Sequence, residues 1–150
     1  MRPDQSIFIR KMHISDVSEI LKIERLSFSP PWSEKSFLNE IYNKSSITNV
    51  AEFKGIIVGY VCARYFLDEC HLLNLAIHPD YRRLGIASML LDDLLEKLKN
   101  YGCLYCYLEV RISNYPSRRL YEKFGFKTVG IRKKYYLCPI EDAIIMMKEL

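Results

Sequence analysis

The sequence predicts an α/β fold, a single central mixed sheet flanked by helices. Three observations carry that prediction. Two strand-like runs, Ile47 to Phe53 and Ile56 to Phe66, are joined at Lys54-Gly55, a connection that suits an antiparallel hairpin. The stretch from His71 to Val110 then reads strand, helix, strand. A short helix and two more strand-like runs close the chain, so early hairpin strands are followed by crossover units, the pattern of a mixed sheet.

Each element has a local reason. Ile7 to Arg10 is a short opening strand. Ser15 or Asp16 is placed to cap a helix with apolar residues at Val17, Ile20, Leu21, Ile23 and Leu26. Ser29-Pro30-Pro31-Trp32 breaks it, and Ser33 starts a second short helix through Phe37, Leu38 and Ile41. After the hairpin, Asp68-Glu69 turns the chain into a strand from His71 to Ile77. The strongest helix puts Ile86, Met89, Leu90, Leu94, Leu95 and Leu98 on one face, and Gly102 supplies its C-cap. Cys103 to Val110 alternates: Leu104, Cys106, Leu108 and Val110 point one way, Tyr105, Tyr107 and Glu109 the other. A helix from about Pro116 to Phe124 stops at Gly125, and strands follow over Phe126 to Arg132 and Ala143 to Lys148.

Composition narrows the function classes. The 150 residues are 49% hydrophobic and 27% charged, which suits one globular domain over residues 1–150 with a real core. A formal charge of +4 is too small to indicate nucleic acid, although it suits an anionic ligand. Five cysteines are an odd number and form no paired framework; Cys103 and Cys106 match CxxC, but inside an apolar alternation with no second pair. They read as buried strand residues, and no metal is expected. No run approaches the roughly 18 apolar residues of a membrane span, and no apolar targeting segment is apparent, so a reducing cytoplasm is the expected compartment.

The chemistry begins at Tyr81-Arg-Arg-Leu-Gly-Ile-Ala-Ser-Met89. Glycine and paired arginines are a poor start for a helix on propensity and dipole grounds. They make sense if an anion lies there: first-turn N–H groups and the dipole attract phosphate, Gly85 and Ala87 let it approach, and Arg82 and Arg83 add cationic donors. A solvated turn whose glycine relieves strain is the alternative on spacing alone. Neither GxxxxGK[ST] nor GxGxxG is present, which disfavours nucleotide hydrolysis and nicotinamide chemistry.

These residues resemble the GNAT superfamily of N-acetyltransferases. Arg82-Arg-Leu-Gly-Ile-Ala87 fits its [QR]-x-x-G-x-[GA] signature. The likeness continues through Pro31-Trp-Ser-Glu34, Asn74 to Tyr81, Leu108-Glu-Val-Arg-Ile-Ser-Asn114, Leu120 to Phe126 and Glu141 to Met146. The ordered set is most similar to the branch that acetylates protein N-termini, a small-subunit ribosomal protein among them. Arg82, Leu84 and Ala87 depart from the residues common in that branch, within the wider signature.

The resemblance implies the acyl-CoA N-acyltransferase fold and acetyl-CoA as cosubstrate. It implies diphosphate contacts from Arg83, Leu84, Gly85, Ile86, Ala87 and Ser88, pantetheine pairing with Leu75, Ala76 and Ile77, and a further contact from Asn114. It also makes Glu109 the proton acceptor and Tyr121 the donor to the leaving thiolate. Without it, Glu109 reads first as the ion-pair partner of Arg111 or another cation, and Tyr121 first as a packed helix aromatic. Trp32 and Tyr136 are the candidate peptide-binding residues, Trp32 also suiting a core anchor. The scattered His13, His71 and His78 read as structural or solvent-facing. Arg132-Lys133-Lys134 suits either an acidic substrate or a solvated surface. Ser113 and Ser117 lack a triad pattern, so no acyl-enzyme is expected. The expected partner is a protein N-terminus, ribosomal in the nearest resemblance, with no nucleic acid or membrane, for a monomer or weak dimer. Acetylation of lysine or a small amine, and acyl-CoA binding without turnover, are the rival readings.

Overall fold

A computed structural model describes residues 6–150. Its strands are β1 (Ile7–Lys11), β2 (Ser46–Phe53), β3 (Ile56–Phe66), β4 (Glu69–Ile77), β5 (Tyr105–Arg111), β6 (Lys127–Leu137) and β7 (Ile140–Glu149). Its helices are α1 (Val17–Ser27), α2 (Glu34–Tyr42), α3 (Ile86–Asn100) and α4 (Tyr115–Lys123). The strands form one sheet in the order β1-β2-β3-β4-β5-β7-β6. Every neighbouring pair is antiparallel except β4 and β5, which the α3 crossover makes parallel.

Two apolar cores sit on opposite faces. Ile86, Leu90, Leu91, Leu94 and Leu98 of α3 pack with Val58, Val61, Leu72, Leu108 and Val110. Val17, Ile20, Ile23 and Phe37 of α1 and α2 pack with Val50, Tyr60, Cys62 and Ala76. Gly59 permits the close approach of β4 to β3, since a Cβ there would lie 2.5 Å from Ile77 Cδ1 and 3.1 Å from Ala76 O.

Several local expectations shift. Asp16 stands before α1, but its carboxylate accepts from the His13 N–H and the Arg10 guanidinium at 2.8 Å each instead of capping the helix. Ser33 does cap α2, accepting from the Ser36 N–H at 3.2 Å. Cys103 and Leu104 precede β5: the Cys103 N–H donates back to Leu98 O and the Leu104 N–H to Asp68 O, leaving the Leu104 side chain exposed. β6 and β7 run on past their expected limits into a long hairpin. Its polar residues hid it, because β6 is an edge strand exposed along most of its length. A register shift between Arg132 and Tyr136 accommodates Lys134 at φ 53°, held by its N–H on Asp142 Oδ1 at 2.9 Å.

Candidate active site

The sheet opens where β4 leaves β5. Their ladder covers only Glu69–His71 against Tyr105–Tyr107, after which Leu72–Ile77 keep β3 as their sole strand neighbour. A bulge sits at the parting, with Cys62 opposite Asn74 and Ala63 opposite Leu72. An extra residue bends a strand and flips its facing. Cys70 and Leu72 join the α3 core, whereas Asn74 and Ala76 face α1. The result is a fork in which no strand pairs with the β4 edge beside Leu75, Ala76 and Ile77.

The loop after β4 carries the anion features. Gly85 is the N-cap of α3 at φ 81°, and Arg83 is also left-handed at φ 63°. Left-handed backbone favours glycine, so the turn itself demands Gly85. A Cβ there would meet nothing within 4 Å, so the space over the loop is open. The first helical bond is Met89 N–H to Gly85 O at 3.1 Å, which leaves the amides of Ile86, Ala87 and Ser88 without helical acceptors. This donor set and open approach fit a diphosphate. Arg82 differs from expectation: its Nε donates to Ile77 O at 3.1 Å and its Nη2 to Ser27 Oγ at 3.3 Å. It braces the loop against β4 and α1, whereas Arg83 has no hydrogen-bond or ion-pair partner among the described residues. Asn114 caps α4, its Oδ1 accepting from the Ser117 N–H at 3.3 Å.

Glu109 lies on β5 at the fork, its carboxylate 10% exposed. It accepts a hydrogen bond from His71 Nε2 and lies 3.6 Å from Arg132 Nε. The hydrogen bond from His71, assisted by Arg132, holds its pKa below the usual carboxylate range against the opposing effect of burial. The partners of Glu109 are therefore the His71 imidazole and the Arg132 guanidinium, not Arg111. His71, which the sequence suggests is structural or solvent-facing, stands beside Glu109; alternation against buried Cys70 and Leu72 puts it on the open face, but only strand pairing brings it to Glu109.

Arg111 spans the mouth of the fork. Its guanidinium donates to Ser29 O at 2.9 Å, Pro139 O at 2.9 Å and Cys138 O at 3.1 Å, and pairs with Glu141 at 3.1 Å. It also stacks over the half-buried Tyr136, whose pKa burial pushes up to about 12. Trp32, between α1 and α2, packs its ring on Phe37 at 5.1 Å, so the core contact is real.

Tyr121 is buried beside Phe126, and burial raises its pKa, keeping the phenol protonated near neutrality. Among the described residues no fully buried polar side-chain atom lacks a partner. The Tyr121 hydroxyl has no hydrogen-bond partner among the described residues.

A sequence profile described as the Acetyltransferase (GNAT) family matches residues 17–126. The chain belongs to that family. The GNAT chain is 36% identical over 143 residues to the [ribosomal protein bS18]-alanine N-acetyltransferase of Escherichia coli strain K12, covering 92% of this chain and 94% of that one. It is 34% identical over 155 residues to the N-alpha-acetyltransferase of Sulfurisphaera tokodaii, covering 95% and 92%. Its fold matches the crystal structure of the ribosomal-protein-S18-alanine N-acetyltransferase from Escherichia coli with a TM-score of 0.88 at 33% identity, covering 95% and 93%. The GNAT fold and N-acetyltransferase activity expected from the sequence are thereby established. No helix among the described residues is long and apolar enough to cross a membrane.

Proposed function

We propose that this N-acetyltransferase moves acetyl from acetyl-CoA to the N-terminal α-amine of a protein, with a ribosomal protein as the first candidate. The observation that carries the reading is the Arg111 bridge. By joining Ser29 O to Cys138 O and Pro139 O, it ties the α1–α2 segment to the β6–β7 turn across the fork. A groove closed in this way suits a chain end better than a polypeptide passing through, and Trp32 and Tyr136 flank the entrance. This favours an α-amine over an internal lysine.

Arg83 to Ser88 and Asn114 are the residues to hold the cosubstrate's phosphate end, and the Leu75–Ile77 edge the pantetheine. A β4 backbone N–H at that edge polarises the thioester oxygen. The amine nitrogen attacks the thioester carbon; a C–N bond forms and the C–S bond breaks. An α-ammonium with an ordinary pKa of about 7.7–8.0 must first lose a proton. Glu109, oriented by His71, accepts it directly or through water. Because the carboxylate sits below its usual range, it is a weak acceptor on its own, and the His71 imidazole gives the pair a second nitrogen for proton transfer. Tyr121 supplies the proton to the departing thiolate, and the second nitrogen proton, released by way of solvent as the amide forms, restores the phenol. We place the enzyme in the cytoplasm, acting as a monomer or weak dimer.

The test is purified protein with acetyl-CoA and hexapeptides whose N-termini are free or blocked, read by mass spectrometry. Acetyl on the free α-amine alone is expected. Internal lysines reacting as fast would transfer the assignment to the lysine-acetylating reading.

A further inference from the structure

Glu24 is the most buried charged-type side chain in the described core, at 1% exposure. It lies on α1, on the face that packs against the sheet, where an apolar residue would avoid the desolvation cost of a carboxyl group. No lysine or arginine pairs with it among the described residues. Its two oxygens instead receive three donors: the Trp32 N–H at 2.8 Å on Oε2, and on Oε1 the Asn74 Nδ2 at 2.7 Å together with the Tyr60 hydroxyl. Those donors come from three different places. Trp32 belongs to the α1–α2 segment at the mouth of the fork, Tyr60 to β3, and Asn74 to β4, immediately before Leu75. One carboxyl group thus spans from the segment over the acceptor entrance to the strand edge proposed to take the acyl donor.

We propose that Glu24 is a positioning residue for the acceptor substrate. It fixes the backbone of Trp32 at a set distance from β4, so that the entrance keeps the shape that binds the acceptor's chain end. An apolar side chain of equal volume would fill the space but bind none of the three donors. The Pro30-Pro31 pair limits how the segment can rearrange, yet its last anchor before α2 is the Trp32 N–H. The inference rests on the acyl-transfer reading above.

The test is Glu24→Gln, which keeps size and shape but turns one acceptor into a donor, leaving either Trp32 or the Asn74–Tyr60 pair facing another N–H. Peptide KM is expected to rise about tenfold or more, with kcat and the acetyl-CoA Kd changed by less than about threefold, the signature of lost acceptor binding. Trp32 is the only tryptophan, so its emission reports the same segment directly. Acrylamide quenching should increase at least about twofold in the variant, as a packed indole becomes more accessible. Tyr60→Phe, which removes only the hydroxyl, should shift both readouts in the same direction by less, and it serves where Glu24→Gln does not fold. Unchanged quenching with unchanged peptide KM overturns the proposal, as does a fall in kcat or in acetyl-CoA affinity with no change in peptide KM. If the native protein acetylates no peptide, the acyl-transfer reading falls, and Trp32 quenching alone still judges whether Glu24 holds the segment.

Discussion

Arg111 stacks its guanidinium 4.3 Å from the centroid of the Tyr136 ring while its N–H groups reach carbonyls on both walls of the fork. Stacking fixes the plane of the guanidinium, and a fixed plane can serve several carbonyls at once. Glu141 completes the arrangement, accepting from Arg111 and from the Ser113 N–H at 2.7 Å.

Arg111→Lys should therefore behave nearly as badly as Arg111→Ala. A point ammonium cannot reproduce the stacked, multidentate contact. Both variants are expected to lose about tenfold to a hundredfold in kcat/KM for peptides, the worth of one to two charge-assisted hydrogen bonds. Steady-state kinetics with a fixed acetyl-CoA concentration measures it. Full activity in the lysine variant would show that only the charge matters.

Glu109→Gln should lower kcat by about 10²–10⁴ near neutral pH, the usual contribution of a positioned acid or base, with little change in acetyl-CoA affinity. His71→Phe should reduce kcat less, because the carboxylate remains and only its partner is gone. Stopped-flow thiol release paired with calorimetry separates the two quantities. A Glu109→Gln enzyme as fast as the parent would take this residue out of the mechanism.

Gly85→Val forces a β-branched residue to φ 81°, a conformation costing about 1–2 kcal/mol per residue for side chains with a Cβ. Since nothing lies near the added Cβ, the fold itself should survive with a small loss in Tm. The rearranged turn should weaken acetyl-CoA binding about fivefold to thirtyfold, that being the affinity equivalent of the strain. Calorimetric titration decides the point: unaltered affinity would remove this loop from the cosubstrate site.

Acid stability should depend on Asp16. Its pKa is lowered, chiefly by the hydrogen bond from Arg10 and then by the His13 N–H, which act against burial. A depressed folded-state pKa contributes stability that is present above the unfolded value of about 3.9 and lost as pH falls through the folded value. Asp16→Asn is expected to cost about 2 kcal/mol at neutral pH, as for a lost hydrogen bond to a charged group. That gap should narrow as the pH drops below about 4. Urea unfolding across this range checks the sign; a gap independent of pH would contradict it.

Much of this architecture is legible along the chain. Helical spacing from Ile86 to Leu98 and alternation from Tyr105 to Val110 are local patterns, and they define α3 and β5 before any packing is known. Gly85 is equally readable, because a glycine ahead of a strong helix marks a backbone need that no neighbour has to explain. The ordered motifs name the family and single out Glu109 and Tyr121. Three relationships escape such reading. His71 meets Glu109 across a parallel ladder of three residue pairs, Arg111 joins segments 82 and 28 residues away, and Glu24 gathers donors from three elements. Periodicity states which face a side chain takes, but strand register and loop approach are settled by how both cores pack at once. Distance along the chain carries no record of that, so the polar groups that close the site become visible only when the sheet is assembled.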